Sequence, residues 1–87
     1  MDKILINRSQ AARILDVSLP TVDKRLEEMQ SLERYEMPVY HIGRSVRINL
    51  LCLMDYLGNY DRIELGLPLP PFNPKKLAEE LALDFEI

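Results

Sequence analysis

Apolar positions recur along this chain at two different periods. The first regular segment begins after Asn7 and places Ala11, Ala12, Ile14 and Leu15 on one side, with Arg8, Ser9 and Arg13 on the other. Asn7 and Gln10 stand three residues apart, the spacing at which two side chains cap a helix N-terminus reciprocally. A helix of about two turns is therefore expected, broken at Asp16 and Val17. The pattern restarts at Ser18, a good capping residue, with Pro20 in the first turn, where a missing N–H costs nothing, and Val22, Leu26 and Met29 at i, i+4 and i+7. Two short helices joined by so short a turn make a helix-turn-helix arrangement. After the polar segment 30–37 the period changes to two. Residues 39–42 and 45–48 are rich in β-branched and aromatic side chains and flank Gly43 and Arg44, so a two-stranded hairpin is expected, with glycine supplying a positive φ at its tip. Alternation puts Val46 and Ile48 on one face and Ser45 and Arg47 on the other. Asn49 is placed to cap a third helix with Leu50, Leu53, Met54 and Leu57 as its apolar stripe, and Gly58 and Asn59 are its expected stop.

Beyond residue 63 the pattern changes again. Residues 65–71 hold Pro68, Pro70 and Pro71, which excludes regular helix or central strand and predicts a semi-rigid linker. Asn73 and Pro74 then open a short acidic amphipathic helix whose stripe is Leu77, Ala78, Leu81, Ala82 and Phe85. The expected organisation is a small α+β winged helix-turn-helix domain over 1–63, followed by a linker and tail helix over 64–87.

Composition narrows the class of protein. At 87 residues and 47% apolar content the chain supports one modest core. Cys52 is the only cysteine, so an internal disulfide is excluded, and without a Cys/His cluster no metal site is expected. No apolar run reaches the roughly 20 residues of a membrane span, the N-terminus does not read as a signal peptide, and a cytoplasmic location with no membrane partner is expected. The net charge of -3 argues against bulk electrostatic coating of nucleic acid. Its location matters more. Residues 1–63 carry nine basic and nine acidic side chains, and 64–87 carry two and five, so the tail alone supplies the excess.

The chemistry-bearing candidates follow from geometry. At about 100° per residue, Val22, Leu26 and Met29 define the inner face of the second helix, and Lys24 falls opposite with Pro20, Glu27 and Glu28. Lys24 is the first candidate for a groove contact. Leu19 at the helix tip is suited to a thymine methyl, Ser18 and Thr21 to phosphate or base edges, and Asp23 to accept from cytosine N4. Arg25 suits phosphate; alternatively Lys24 and Arg25 pair with Glu27, Glu28 or Asp23 on a solvated face. Arg44 is expected at the hairpin tip, where a wing reaches a minor groove or its phosphates, with Arg47 behind it unless Glu33 or Glu36 claims it. His41 has no second histidine to work with. No nucleophile-base set, carboxylate pair or glycine-rich phosphate loop is present, so no catalytic residue and no cofactor is expected.

The run from Asn7 to Val22, with its Ala11-Ala12 pair and Ser18-x-x-Thr21-Val22, together with Gly43-Arg44-Ser45-Val46-Arg47-Ile48 and the leucine-rich helix ending at Tyr56-Leu57, resembles the excisionase and MerR-like winged-helix DNA-binding domains. The resemblance covers about 4–57. It implies a second helix in the major groove, carried by Ser18, Leu19, Pro20, Thr21 and Lys24, and a wing at Arg44 and Arg47. The sequence departs from the pattern in three places: Asp16 stands where a turn glycine is usual, Leu19 and Pro20 replace commonly polar or basic residues, and the link 30–37 is long. Few long polar side chains remain on the second helix, which implies weak readout per protomer, offset by cooperative self-association or DNA shape.

The leading expectation is an accessory DNA-binding protein of a mobile element, excisionase-like, that binds and bends double-stranded DNA and assists an integrase, with Leu77, Leu81 and Phe85 of the tail as partner-binding residues. One alternative keeps the domain as a transcriptional regulator or a module of the phage terminase small-subunit type. The other is a protein-interaction or inhibitory module that uses the acidic tail.

Overall fold

The computed structural model describes residues 4–81. In chain order its elements are β1 (Leu5–Ile6), α1 (Arg8–Leu15), α2 (Leu19–Ser31), β2 (Val39–Ile42), β3 (Ser45–Asn49), α3 (Leu50–Gly58), α4 (Tyr60–Glu64) and α5 (Pro74–Glu80), an α+β arrangement. Three asparagine side chains cap helix N-termini. Asn7 and Gln10 form the reciprocal capping box of α1, Asn49 accepts from the Leu51 and Cys52 amides at the start of α3, and Asn73 accepts from the Lys76 amide ahead of Pro74 in α5. Each answers backbone donors that a helix N-terminus otherwise leaves open. Ser18 precedes α2 but does not cap it through its side chain; its hydroxyl lies 3.1 Å from that of Thr21.

α1 ends on Asp16, which takes the left-handed conformation (φ 56°, ψ 49°) and whose N–H closes onto the carbonyls of Ala12 and Arg13. This is the one position among the described residues where a non-glycine side chain adopts positive φ. Aspartate tolerates that region better than most residues, so the missing turn glycine does not prevent the sharp reversal into α2. α1 and α2 pack against each other across this turn.

β3 is the centre of a three-stranded antiparallel sheet in the order β1-β3-β2. Val39 pairs with Ile48 and His41 with Val46, and Ile6 stands opposite Ile48 from the other side. These residues share the inner face, while Tyr40, Arg47, Ile42 and Ser45 share the outer one. Gly43 closes the hairpin at φ 61°. β1 carries two residues, too few to show a period of two, and went unforeseen in the sequence. The core brings Ile6, Ala11, Val22, Leu26, Met29, Tyr35, Val39, Ile48, Leu53 and Tyr56 together.

α3 differs from its expected orientation. Its buried residues are Leu51, Cys52, Leu53 and Tyr56, whereas Leu50, Met54 and Leu57 are half-buried. The inner face is centred near Cys52 and Tyr56, roughly 130° round the helix from the leucine-methionine stripe. Apolarity alone misleads here because Tyr56 buries its ring and satisfies its hydroxyl by donating to Glu28. The stop at Gly58 and Asn59 is brief: α4 follows at once and turns Tyr60 and Ile63 onto the core.

The proline-rich stretch lies along the rest of the described chain. Phe72 meets the Tyr35 ring edge-on at 5.4 Å, the Pro70 carbonyl accepts from Arg34, and α5 packs on α3 with Ala78 fully buried. Arg34 also grips Asp55 with Nε and Nη2, at 2.6 and 3.0 Å. Asp55 takes a further hydrogen bond from the Tyr35 hydroxyl at 2.7 Å and one from Asn59 Nδ2 at 3.2 Å. The hydrogen bond to Asp55 raises the Arg34 pKa, and burial followed by that same carboxylate pushes the Tyr35 hydroxyl above the ordinary tyrosine value. With side-chain exposures of 13% and 11%, the Arg34–Asp55 pair is largely withdrawn from water. Asp55→Ala leaves this guanidinium without its carboxylate and is expected to cost about 3 kcal/mol in urea denaturation. Arg62→Ala, at an exposed site, should stay within about 0.5 kcal/mol of the parent.

Candidate nucleic-acid interface

α2 presents two chemically distinct sides. Val22, Leu26 and Met29 are buried, as the i, i+4, i+7 spacing requires, and Leu19, Pro20, Asp23, Lys24 and Glu27 are exposed. Thr21 and Arg25 are half-buried at the edge between them. Ser18 is exposed ahead of the helix. Lys24 stands in the middle of the outer side, and among the described residues it makes no ion pair or hydrogen bond.

Its acidic neighbours are not equivalent. Asp23 is held by Arg8 of α1 through two hydrogen bonds, Nε to Oδ1 at 2.8 Å and Nη2 to Oδ2 at 2.7 Å. Glu28 accepts from the Tyr56 hydroxyl and lies 3.9 Å from Arg25. Arg25 itself is stacked 5.0 Å over the Tyr60 ring, so its guanidinium leans toward α4 rather than outward from α2. The sequence alternative in which Arg25 pairs with a neighbouring acid therefore describes its position here. Glu27 is the one acid of α2 that has no partner among the described residues.

At the hairpin, Arg44 is exposed at the tip beside Gly43 and likewise has no acidic partner among the described residues. Arg47 is half-buried on the outer face of the sheet, opposite Tyr40, and donates to the Val46 carbonyl at 3.1 Å. Neither Glu33 nor Glu36 claims it. His41 is exposed on the strand that leads to the tip.

The structure thus leaves Lys24 and Arg44 as open cations, turns Arg25 aside, and holds Arg47 against its own strand. Of the tail candidates, Leu77 is half-buried and Leu81 is 39% exposed; Phe85 lies outside the described residues. Sequence reasoning missed the engagement of Asp23 by Arg8, because 15 positions separate the two residues and only the α1–α2 turn brings them together. A separate groove of about 590 Å³ lies between Arg34, Met37, Tyr40, Cys52 and Phe72. No helix among the described residues is long and apolar enough to cross a membrane.

Comparison of the chain with protein-family models, curated proteins and solved structures returns no match.

Cys52 is the only nucleophilic thiol, and the structure gives it a structural setting. It is buried at the inner face of α3, and burial, with the nearby Asp55 charge adding to it, pushes the thiol up to about 12. Since the thiolate is the reactive form, Cys52 should resist a disulfide-exchange reagent near pH 8 in the folded protein and react fully once denatured. Absorbance of the released thiol measures both.

Proposed function

We propose that this chain is a winged helix-turn-helix protein that binds double-stranded DNA as an accessory factor of a mobile element, in the manner of an excisionase. On this reading α2 enters the major groove, the β2–β3 hairpin is the wing, and an integrase or related recombinase is the partner that the bound protein assists. The observation that carries the reading is the distribution of open cations. Lys24 at the centre of the outer side of α2 and Arg44 at the hairpin tip have no carboxylate partner among the described residues, while Asp23 and Glu28 are both engaged. Phosphate contacts of this kind supply the affinity and register of DNA binding.

Three further features support it. The α1–α2 connection, residues 16–18, is as short as a helix-turn-helix turn and reverses the chain through a left-handed residue at Asp16. The hairpin ends in exposed glycine and arginine, a form that suits a minor groove or its flanking phosphates. The outer side of α2 offers Leu19, Pro20 and Lys24 rather than a row of long amides, so base readout per protomer is slight, and sequence preference comes from DNA shape and from copies laid side by side.

Fluorescence anisotropy on labelled duplexes at low salt tests the proposal. The full-length protein is expected to bind, and Lys24→Ala/Arg44→Ala to weaken binding at least about tenfold while the slope of log affinity against log salt falls by about 1.8, the value for two lost phosphate contacts. Glu27→Gln, which removes an unmatched carboxylate, should raise affinity several-fold. Absence of duplex binding by the parent at micromolar concentration, or an unchanged salt slope in the double variant, contradicts the proposal.

A further inference from the structure

The Arg8–Asp23 pair is the closest ion pair on the surface formed by α1 and α2 among the described residues, at 2.7 Å against 3.9 Å for Arg25–Glu28. Arg8 is the first residue of α1 and Asp23 lies in the N-terminal half of α2. They meet in a two-pronged geometry at 2.8 and 2.7 Å, with side-chain exposures of 37% and 54%. A pair so open to water adds only modestly to folding stability, even in a two-pronged geometry. Asp23 is adjacent to Lys24 and points to the α1 flank of the same helix. A bare carboxylate there would oppose the approach of any polyanion, and it would cancel the attraction contributed by Lys24. The arginine fork removes that opposition at its source. Each guanidinium donor meets its own oxygen, which is the strongest form of charge-assisted pairing available to a carboxylate.

We infer that Arg8 is a built-in counter-ion of α2: it neutralises Asp23 so that the helix can approach a phosphodiester backbone, and it is not itself a phosphate clamp. This inference rests on the proposed DNA-binding reading. It assigns Arg8 a positioning role and makes Asp23, through Arg8, a control on affinity. Removing Asp23 releases a cation beside the duplex, removing Arg8 uncovers an anion there, and removing both leaves the local charge as it was.

A double-variant cycle in duplex binding tests it, using the full-length protein, one labelled duplex, and thermal melts to establish that each variant is folded. Asp23→Asn is expected to tighten binding about three- to tenfold and Arg8→Ala to weaken it by a similar factor. Arg8→Ala/Asp23→Asn should return to within about twofold of the parent with its salt slope unchanged. Arg8→Gln provides the same comparison should the alanine variant melt early. A gain in affinity on Asp23→Asn is a result that loss of a structural contact does not produce. If the double variant stays as weak as Arg8→Ala and its salt slope drops by about 0.9, Arg8 holds a phosphate directly and the counter-ion role is overturned. It is equally overturned if none of the three variants alters binding while Lys24→Ala/Arg44→Ala does, because the pair then lies off the interface although DNA binding stands. A parent that binds no duplex overturns both readings together.

Discussion

The Asp55 carboxylate gathers four donors from three residues: two from Arg34, one from Tyr35 and one from Asn59. Through it, the segment between α2 and β2 is fixed to α3, and through Arg34 and Pro70 the proline-rich stretch is fixed to that segment. The node holds residues 32–38 against α3, and it adds to the pairing of β3 with β1 and the direct passage of β3 into α3 that anchor the hairpin. Because the carboxylate is largely withdrawn from water, its charge is balanced by the arginine fork and the tyrosine hydroxyl rather than by solvent, which makes the geometry specific as well as strong. Phe72 then covers the node, with its ring edge-on to Tyr35 and 5.9 Å from the Arg34 guanidinium.

A second carboxylate arrangement governs the surface of α2. Its three acids have three different situations: Asp23 is gripped by α1, Glu28 is drawn toward Tyr56 of α3, and Glu27 is open. Counting charges along α2 makes it acidic, yet two of its three carboxylates are matched by side chains from neighbouring elements or from its own preceding turn. The field above α2 is set by which charges remain unmatched. Those are Lys24 and Glu27, adjacent on the helix face and opposite in sign. The proposed groove contact is therefore weak by construction, and on that proposal the hairpin tip at Arg44 gains importance relative to the helix.

Much of this was legible from local pattern. The two capping asparagines of α1 and α3, the proline-led start of α5, the period-two hairpin and the buried stripe of α2 all follow from interactions within a few residues of one another, and such interactions are written directly in the order of the chain. What the pattern did not carry was pairing across distance. Asp23 looked available to a base edge because its partner is 15 positions earlier. Arg25 looked available to phosphate because Tyr60 lies beyond two further strands and a helix. The inner face of α3 was displaced because Tyr56 and Cys52 rank below leucine in apolarity, yet they occupy the centre of the core where the tyrosine hydroxyl finds Glu28. The short β1 and α4 exist only through pairing with β3 and packing on the core, and neither has an intrinsic period long enough to read.

The overall charge of -3 can be understood in the same terms. A protein that holds DNA by total positive charge loses affinity wherever it carries acid, whereas one that matches its acids internally can be acidic in sum and still present isolated cations. Here three acids are matched among the described residues, Asp23 and Glu28 on α2 and Asp55 on α3, and the excess of acid over base falls in the tail beyond residue 63. The cost of this design is that each molecule offers only a few phosphate contacts, and affinity scales with their number. On the proposed reading, binding by one molecule is modest and readily reversed by salt, and stable occupancy requires either neighbouring copies or the recombinase itself. An accessory factor is suited to that regime, because its residence on DNA then depends on the assembly it serves.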